Sequence, residues 1–199
     1  GLLAMVLSVG TGSVSLSPGE VMAAVMGGGE PLHHTLVLEL RLPRTLAAFA
    51  TGGLLAVAGA LMQVLLRNPL ADPYVLGLSG GASVGALLAM LAGLTTLVVS
   101  VSAFGGALLA TLLVFGLAHG TGSWTPSRLL LTGVVVAAGW GAVITLMLAI
   151  APAQRLPGML YWLMGDVSYA RSPWPAMILL ALTCLLVLPV GRSLNVLAR

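Results

Sequence analysis

Apolar residues run along this chain in blocks of about 20, long enough to cross the hydrocarbon core of a bilayer as helices, and polar residues gather between the blocks. Complete blocks lie at roughly 43–66, 75–92, 97–118, 127–150 and 173–190. The start, residues 1–9, is apolar with no charged residue and no initiating Met. It reads as the remainder of a further span rather than as a signal peptide. The pattern therefore predicts an all-α, polytopic transmembrane helical bundle of about six spans, the first incomplete.

Breakers punctuate the blocks. Ser17-Pro-Gly-Glu20 has the form of a capping box with Pro at the first helical position, which predicts a short helix ended by Gly27-Gly-Gly29 and Pro31. Arg67-Asn-Pro-Leu-Ala-Asp-Pro73 is not helical throughout, because each Pro lacks a donor and disfavours helix just before it. In hydrocarbon such backbone is tolerated only when buried in protein or lining a water-filled cavity, so the break belongs at a membrane edge or on a pathway. Residues 119–126 read as a polar turn. Residues 154–165 read as a short interfacial helix whose Tyr161 and Trp162 suit the headgroup zone. The chain is taken as one membrane domain, 1–199, with connectors at 10–40 and 151–172 on one side and the break at 67–74 on the other.

Composition makes the membrane the natural solvent. The chain is 59% apolar, only 7% charged, and has a mean hydropathy of +1.11. Soluble domains carry about 25% charged residues. The net charge of +3 is carried by scattered arginines with no basic run, which argues against nucleic acid as a partner. Division of the loops by span parity puts Arg41, Arg44, Arg155 and Arg171 on one side and Arg67, Arg128, Arg192 and Arg199 on the other, so charge does not orient the chain. Lysine is absent, so no G-x-x-x-x-G-K-[ST] phosphate loop exists and any ATP-driven role needs a separate subunit. Cys184, alone in an apolar run, reads as a small hydrophobe.

Several residues carry candidate chemistry. Gly77-Leu-Ser79-Gly-Gly81 fits G-x-S-x-G, the pattern of a nucleophile elbow, but the histidines (His33, His34, His119) all lie in connectors. Packing of a glycine-rich helix start is the plainer reading of Ser79. His33 and His34, with Glu30 and Glu39 nearby, lack recurrent metal-ligand spacing and read as a solvated loop; no metal site is expected. Gly77, Gly81 and Gly85 share a helical spacing, as do Gly52, Ala56, Gly59 and Gln63, and Gly133, Ala137 and Gly141. Small residues so spaced let backbones approach closely in lipid. Arg41 and Arg44 stand three apart at the mouth of a span, which fits either salt bridges to a docking partner or interfacial snorkelling. Gln63, an amide inside a span, must meet a neighbouring helix or a water-filled path. Trp140 lies mid-span and reads as filling space.

Taken together, Arg41-Leu-Pro-Arg44-Thr, Gly59-Ala-Leu-Met-Gln63, Asn68-Pro-Leu-Ala-Asp-Pro73 and Leu76-Gly-Leu-Ser-Gly-Gly-Ala82 resemble, in order and spacing, the signature of the permease subunit of ABC importers for iron–siderophore complexes, haem and cobalamin. Ser127-Arg-Leu-Leu-Leu-Thr-Gly133, Leu160-Tyr-Trp-Leu-Met-Gly165 and Gly191-Arg-Ser-Leu-Asn-Val-Leu197 resemble later segments of that family, the last lying just before its coupling helix. The resemblance covers essentially the whole chain and corresponds to the first six of about ten spans, each of ~20 residues. It implies a multi-pass protein of the cytoplasmic membrane without catalysis of its own. The implied partners are a second permease copy or paralogue, a cytoplasmic ATPase dimer that uses the ATP, and an extracytoplasmic substrate-binding protein. It places Arg41 and Arg44 on the outer face as docking residues. Gln63, Asn68, Pro69, Leu70 and Ser127 fall on the translocation path and its inner gate. The expected cargo is an iron chelate, with cobalamin as the alternative; a secondary transporter or channel without an ATPase is the reading from a different class.

Overall fold

The computed structural model of the chain describes residues 1–119, 125–167 and 172–197. The expected polar turn at 119–126 therefore lies largely outside the described residues, as do Arg171 and Arg199. Nine α-helices are described: α1 (Leu2–Gly10), α2 (Pro18–Val25), α3 (Pro31–His34), α4 (Leu42–Leu66), α5 (Leu78–Leu91), α6 (Thr96–His119), α7 (Pro126–Ile150), α8 (Leu156–Met164) and α9 (Trp174–Leu197). A π-helical segment, Thr35–Arg41, joins α3 to α4, and a 3₁₀ turn, Pro73–Leu76, precedes α5. No strand occurs among the described residues. The helices divide into two compact units, Gly1–Val57 with Asp166–Leu197, and Ala58–Gly165.

In the first unit the predicted capping box is formed. The Ser17 N–H donates to the Glu20 carboxylate at 2.7 Å, and the Glu20 N–H donates to the Ser17 hydroxyl at 3.3 Å. These bonds hold the Glu20 carboxyl below the usual carboxylate range. Gly27, at φ 78°, ends α2: its N–H reaches Ala24 O and the next N–H, of Gly28, reaches back to Ala23 O at 2.8 Å. Pro31 then opens a helix that runs without interruption to Leu66.

That helix begins inside the stretch 10–40 that the sequence reads as a connector. Residues 31–41 are helical, and His33 and His34 sit on α3 rather than in a loop, with His33 Nε2 3.9 Å from the Glu30 carboxylate. Proline accounts for the π segment. Pro43 has no N–H to donate, and its ring crowds the carbonyl four residues back. A wider turn relieves the crowding, and the Leu42 N–H accordingly reaches Val37 O, five residues back. Leu16, Ala24 and Val37 form the buried cluster under this part of the chain.

In the second unit α5 is the buried element, with Gly81, Ser83, Val84, Ala86, Leu87 and Ala89 all withdrawn from the surface. Leu87, Val84, Met147 and Met159 make one cluster; Ala86, Ala89 and Val99 make another. The expected span at 75–92 is shorter than its hydropathy indicated. Pro73 starts a 3₁₀ turn, Gly77 turns left-handed at φ 69°, and only 14 residues of α-helix follow. At 1.5 Å per residue that is about 21 Å, less than the ~30 Å hydrocarbon core. Among the described residues, the helices long and apolar enough to cross are Pro31–Leu66, Thr96–His119 and Pro126–Ile150. A short helix, α8, occupies the stretch read as interfacial, with Tyr161 exposed.

Candidate functional site

Two groups of predicted residues lie in different units. The first surrounds the start of α4. A cavity of about 350 Å³ is lined there by Ser8, Thr11, Ser13, Thr45, Arg41 and Arg44, with Gly12, Leu36, Leu40, Ala48 and Val167. The two arginines are not equivalent. Arg41 Nη1 donates to Val9 O at 2.9 Å and to Gly10 O at 3.3 Å, and its Nη2 donates to Val14 O. Val9 and Gly10 close α1, where terminal carbonyls lack helical partners and the helix dipole favours a cation. The Arg44 side chain makes no hydrogen bond or ion pair among the described residues. Buried Thr45 shares a 3.1 Å hydrogen bond with Ser8, which ties α4 itself to α1.

The second group lies where α4 ends. The Arg67 N–H reaches Val64 O at 3.2 Å and the Asn68 N–H reaches back to Gln63 O at 3.1 Å. This is the same pair of bonds that Gly27 makes with Gly28 at the end of α2 and that Gly93 makes with Leu94 at the end of α5. In α4 the left-handed position is filled by Arg67, at φ 47°. The Asn68 side chain then accepts from the Leu70 N–H at 2.9 Å, and the Asp72 carboxylate from the Tyr74 N–H at 2.8 Å, so each polar side chain of the break fixes the turn after it. Leu66, Ala71 and Leu76 anchor the break against Val114, Ala118 and Leu129. Leu70 is left 88% exposed. Because Leu129 belongs to that cluster, the start of α7, with exposed Ser127 two residues earlier, stands beside the break. Thr125 caps α7 by accepting from the Arg128 N–H at 3.4 Å. Gln63 and Pro69 are exposed, Asn68 is half-buried, and the Gln63 amide makes no hydrogen bond among the described residues.

The glycines behave differently from their spacing. Gly81 and Gly85 do face α6: a Cβ added to Gly81 would lie 2.4 Å from Gly106 O, and one on Gly85 2.2 Å from Ser102 O. Gly77 is outside the helix and lies instead against Ala137 and Trp140 of α7, so the three do not share one contact. Gly80 and Gly106 were missed. A Cβ on Gly80 would meet Trp140 Cβ at 2.5 Å, and one on Gly106 would meet Gly81 O at 2.1 Å. The signal for Gly106 lay in its sequence, as the partner a close helix crossing needs on the opposing helix. Trp140 fills the space that Gly80 leaves, with its indole N–H buried and unpaired among the described residues. Gly52 and Gly141 have open space beside them.

Arg155 was not singled out from sequence. Its guanidinium donates to Met90 O at 3.4 Å and to Leu91 O, closing α5 as Arg41 closes α1. Ser79 is exposed and its hydroxyl makes no hydrogen bond among the described residues. No group of three or more His, Cys, Asp and Glu converges among the described residues.

Comparison with known proteins extends this geometry. The family model described as the FecCD transport family matches residues 2–199. The achromobactin transport system permease protein CbrC of Dickeya dadantii is 41% identical over 169 residues, covering 83% of this chain and 48% of that protein. An uncharacterized ABC transporter permease protein, YvrB of Bacillus subtilis, is 39% identical over 183 residues, covering 86% and 50%. The vitamin B12 import system permease protein BtuC of Escherichia coli is 36% identical over 202 residues, covering 99% and 59%. The chain thus spans about half the length of the curated relatives it matches. Among solved structures, an inward-facing ABC transporter described as of the metal-chelate type superposes with a TM-score of 0.81 at 26% identity, over 98% of this chain and 61% of that one. The signature segments and the helical architecture agree with these matches: the chain is a multi-pass membrane protein and belongs to the FecCD transport family.

Proposed function

We propose that the full-length protein is the permease subunit of a binding-protein-dependent ABC importer that carries an iron chelate, siderophore or haem, across the cytoplasmic membrane. The observation that carries this reading is the family match over residues 2–199, joined to relatives named as permeases of achromobactin and vitamin B12 systems. On this reading the permease performs no covalent chemistry and binds no cofactor itself. A separate ATPase dimer binds and hydrolyses ATP, and a second permease copy or paralogue completes the path. A path with two gates is a two-state element, and partners at its two ends bias it between outward- and inward-facing states.

The residues divide accordingly. The mouth that holds Arg41 and Arg44 is the outer docking face, where a guanidinium meets carboxylates presented by a binding protein. Gln63, with an exposed amide inside a span, faces the path. Asn68, Pro69 and Leu70, with Ser127 beside them, form the inner constriction. What supports this is the fixed turn with an outward-standing Leu70 and the irregular backbone, which a bilayer tolerates only along a pathway or within protein. Gly77, Gly81 and Gly85 hold the short helix α5 against α6 and α7 behind that path.

A cobalamin importer is the second reading, favoured by the relative that aligns with 99% of this chain. Uptake of a labelled ferric siderophore and of labelled cobalamin by cells with and without the full-length gene separates the two. Loss of ferric siderophore uptake alone is the expected result. Loss of cobalamin uptake alone moves the cargo to the second reading, and transport that survives removal of every ATPase partner would favour a secondary transporter.

A further inference from the structure

We propose that Arg41 is a positioning residue that builds the wall of the mouth from inside the chain, leaving Arg44 as the charge of the pair offered to a partner. The guanidinium of Arg41 is already engaged. Its two terminal nitrogens bind three backbone carbonyls, Val9 O, Gly10 O and Val14 O, contributed from 27 to 32 residues earlier. Two of them close α1, and the third lies beyond the reversal that follows. The fork therefore ties both arms of the turn at residues 10–14 to the end of the π-helical segment that leads into α4. A planar guanidinium has the donors and the span for three carbonyls; an ammonium is a point charge and does not.

A second observation points the same way. Gly12 sits at the bend between those arms, and a Cβ placed on it would lie 2.8 Å from Arg41 Nη2. The turn is thus built around the guanidinium, with the one residue that passes over it lacking a side chain. Arg44, three residues on and in the first turn of α4, lines the same cavity, and its side chain makes no hydrogen bond or ion pair among the described residues. The fold thus spends one arginine on shape and leaves the other its charge. The clamp rests on these contacts alone; that it shapes a docking mouth rests on the importer reading above.

Hydrogen exchange on the full-length protein in lipid nanodiscs tests the clamp without any partner or cargo. The amides of Thr11 and Leu16, which donate to Leu7 O and Gly10 O, report the turn. Replacing Arg41 with Ala should speed their exchange by about tenfold, the scale expected for losing charge-assisted bonds, and Arg44→Ala should leave them unchanged. Gly12→Ala, which alters no charge, should reproduce the Arg41→Ala effect by displacing the guanidinium. Unchanged exchange in Arg41→Ala, or equal acceleration in Arg44→Ala, overturns the proposal.

A transport readout separates shape from charge. In cells, Gly12→Ala should raise the KM for ferric siderophore uptake, and Arg41→Lys should not restore the wild-type value. Rescue by lysine, or a normal KM in Gly12→Ala, would show that Arg41 acts as a docking charge after all. If the wild-type protein carries no ferric siderophore, the cargo reading fails and the exchange result still decides the clamp.

Discussion

Arg67 stands where two other helices of the same chain use glycine. Gly27 and Gly93 end α2 and α5 at φ 78° and 73°, and Arg67 ends α4 with the same two bonds at φ 47°. A side chain in the left-handed region costs roughly 1–2 kcal/mol, and glycine loses part of that gain through its freer unfolded chain. Arg67→Gly should therefore stabilise the protein by up to about 1 kcal/mol, read as a shift in thermal or denaturant unfolding in detergent. A neutral or destabilising result would mean that the Arg67 side chain contributes a compensating interaction. The break at 67–73 was legible in sequence because its prolines forbid helix. The occupant of the left-handed position was not, since nothing in a lone arginine marks its backbone as unusual. The same limit hid the Arg41 and Arg155 clamps: their acceptors are main-chain carbonyls, which every residue has.

At the scale of elements, hydropathy located the helices well and measured one of them badly. The blocks at 97–118 and 127–150 became α6 and α7 with ends moved by a residue or so. The block at 75–92 lost its first turn to the Pro73–Leu76 3₁₀ turn and Gly77, because apolar content does not record backbone conformation. What holds this short helix is close packing. The Gly81–Gly106 and Gly85–Ser102 approaches leave no room for a methyl group on Gly81, Gly85 or Gly106. Overpacking a tight contact costs about 1–3 kcal/mol, and more when the neighbour is backbone and does not yield. Gly85→Val should accordingly destabilise the folded protein by about 3 kcal/mol or abolish its accumulation in the membrane. Gly105→Val, on α6 but facing open space, is the matched control and should cost under about 1 kcal/mol. Equal losses at Gly85 and Gly105 would show that the crossing is looser than these distances indicate.

At the scale of the whole molecule, the two predicted ends of the path are built differently, and that difference is testable. The mouth at Arg41 and Arg44 is a cavity of mixed polar and apolar lining beside hydrogen bonds from Arg41 to backbone, while the break at 67–73 is anchored by three apolar residues and presents a fourth, Leu70, outward. Anchoring and presentation fall on different side chains there: Leu66, Ala71 and Leu76 are buried, and Leu70 is 88% exposed. Enlarging Leu70 therefore adds bulk where the chain has space and leaves the buried cluster intact. On the importer reading, Leu70→Trp in the full-length protein should reduce uptake of ferric siderophore severalfold while the protein still accumulates in the membrane and copurifies with its ATPase. Leu76→Ala is the contrasting variant: it empties a buried site, and deleting such a side chain costs about 2–5 kcal/mol, so accumulation itself should fall. Unchanged uptake in Leu70→Trp would remove Leu70 from the constriction. Loss of assembly in that variant would instead place Leu70 in a contact with the partner permease.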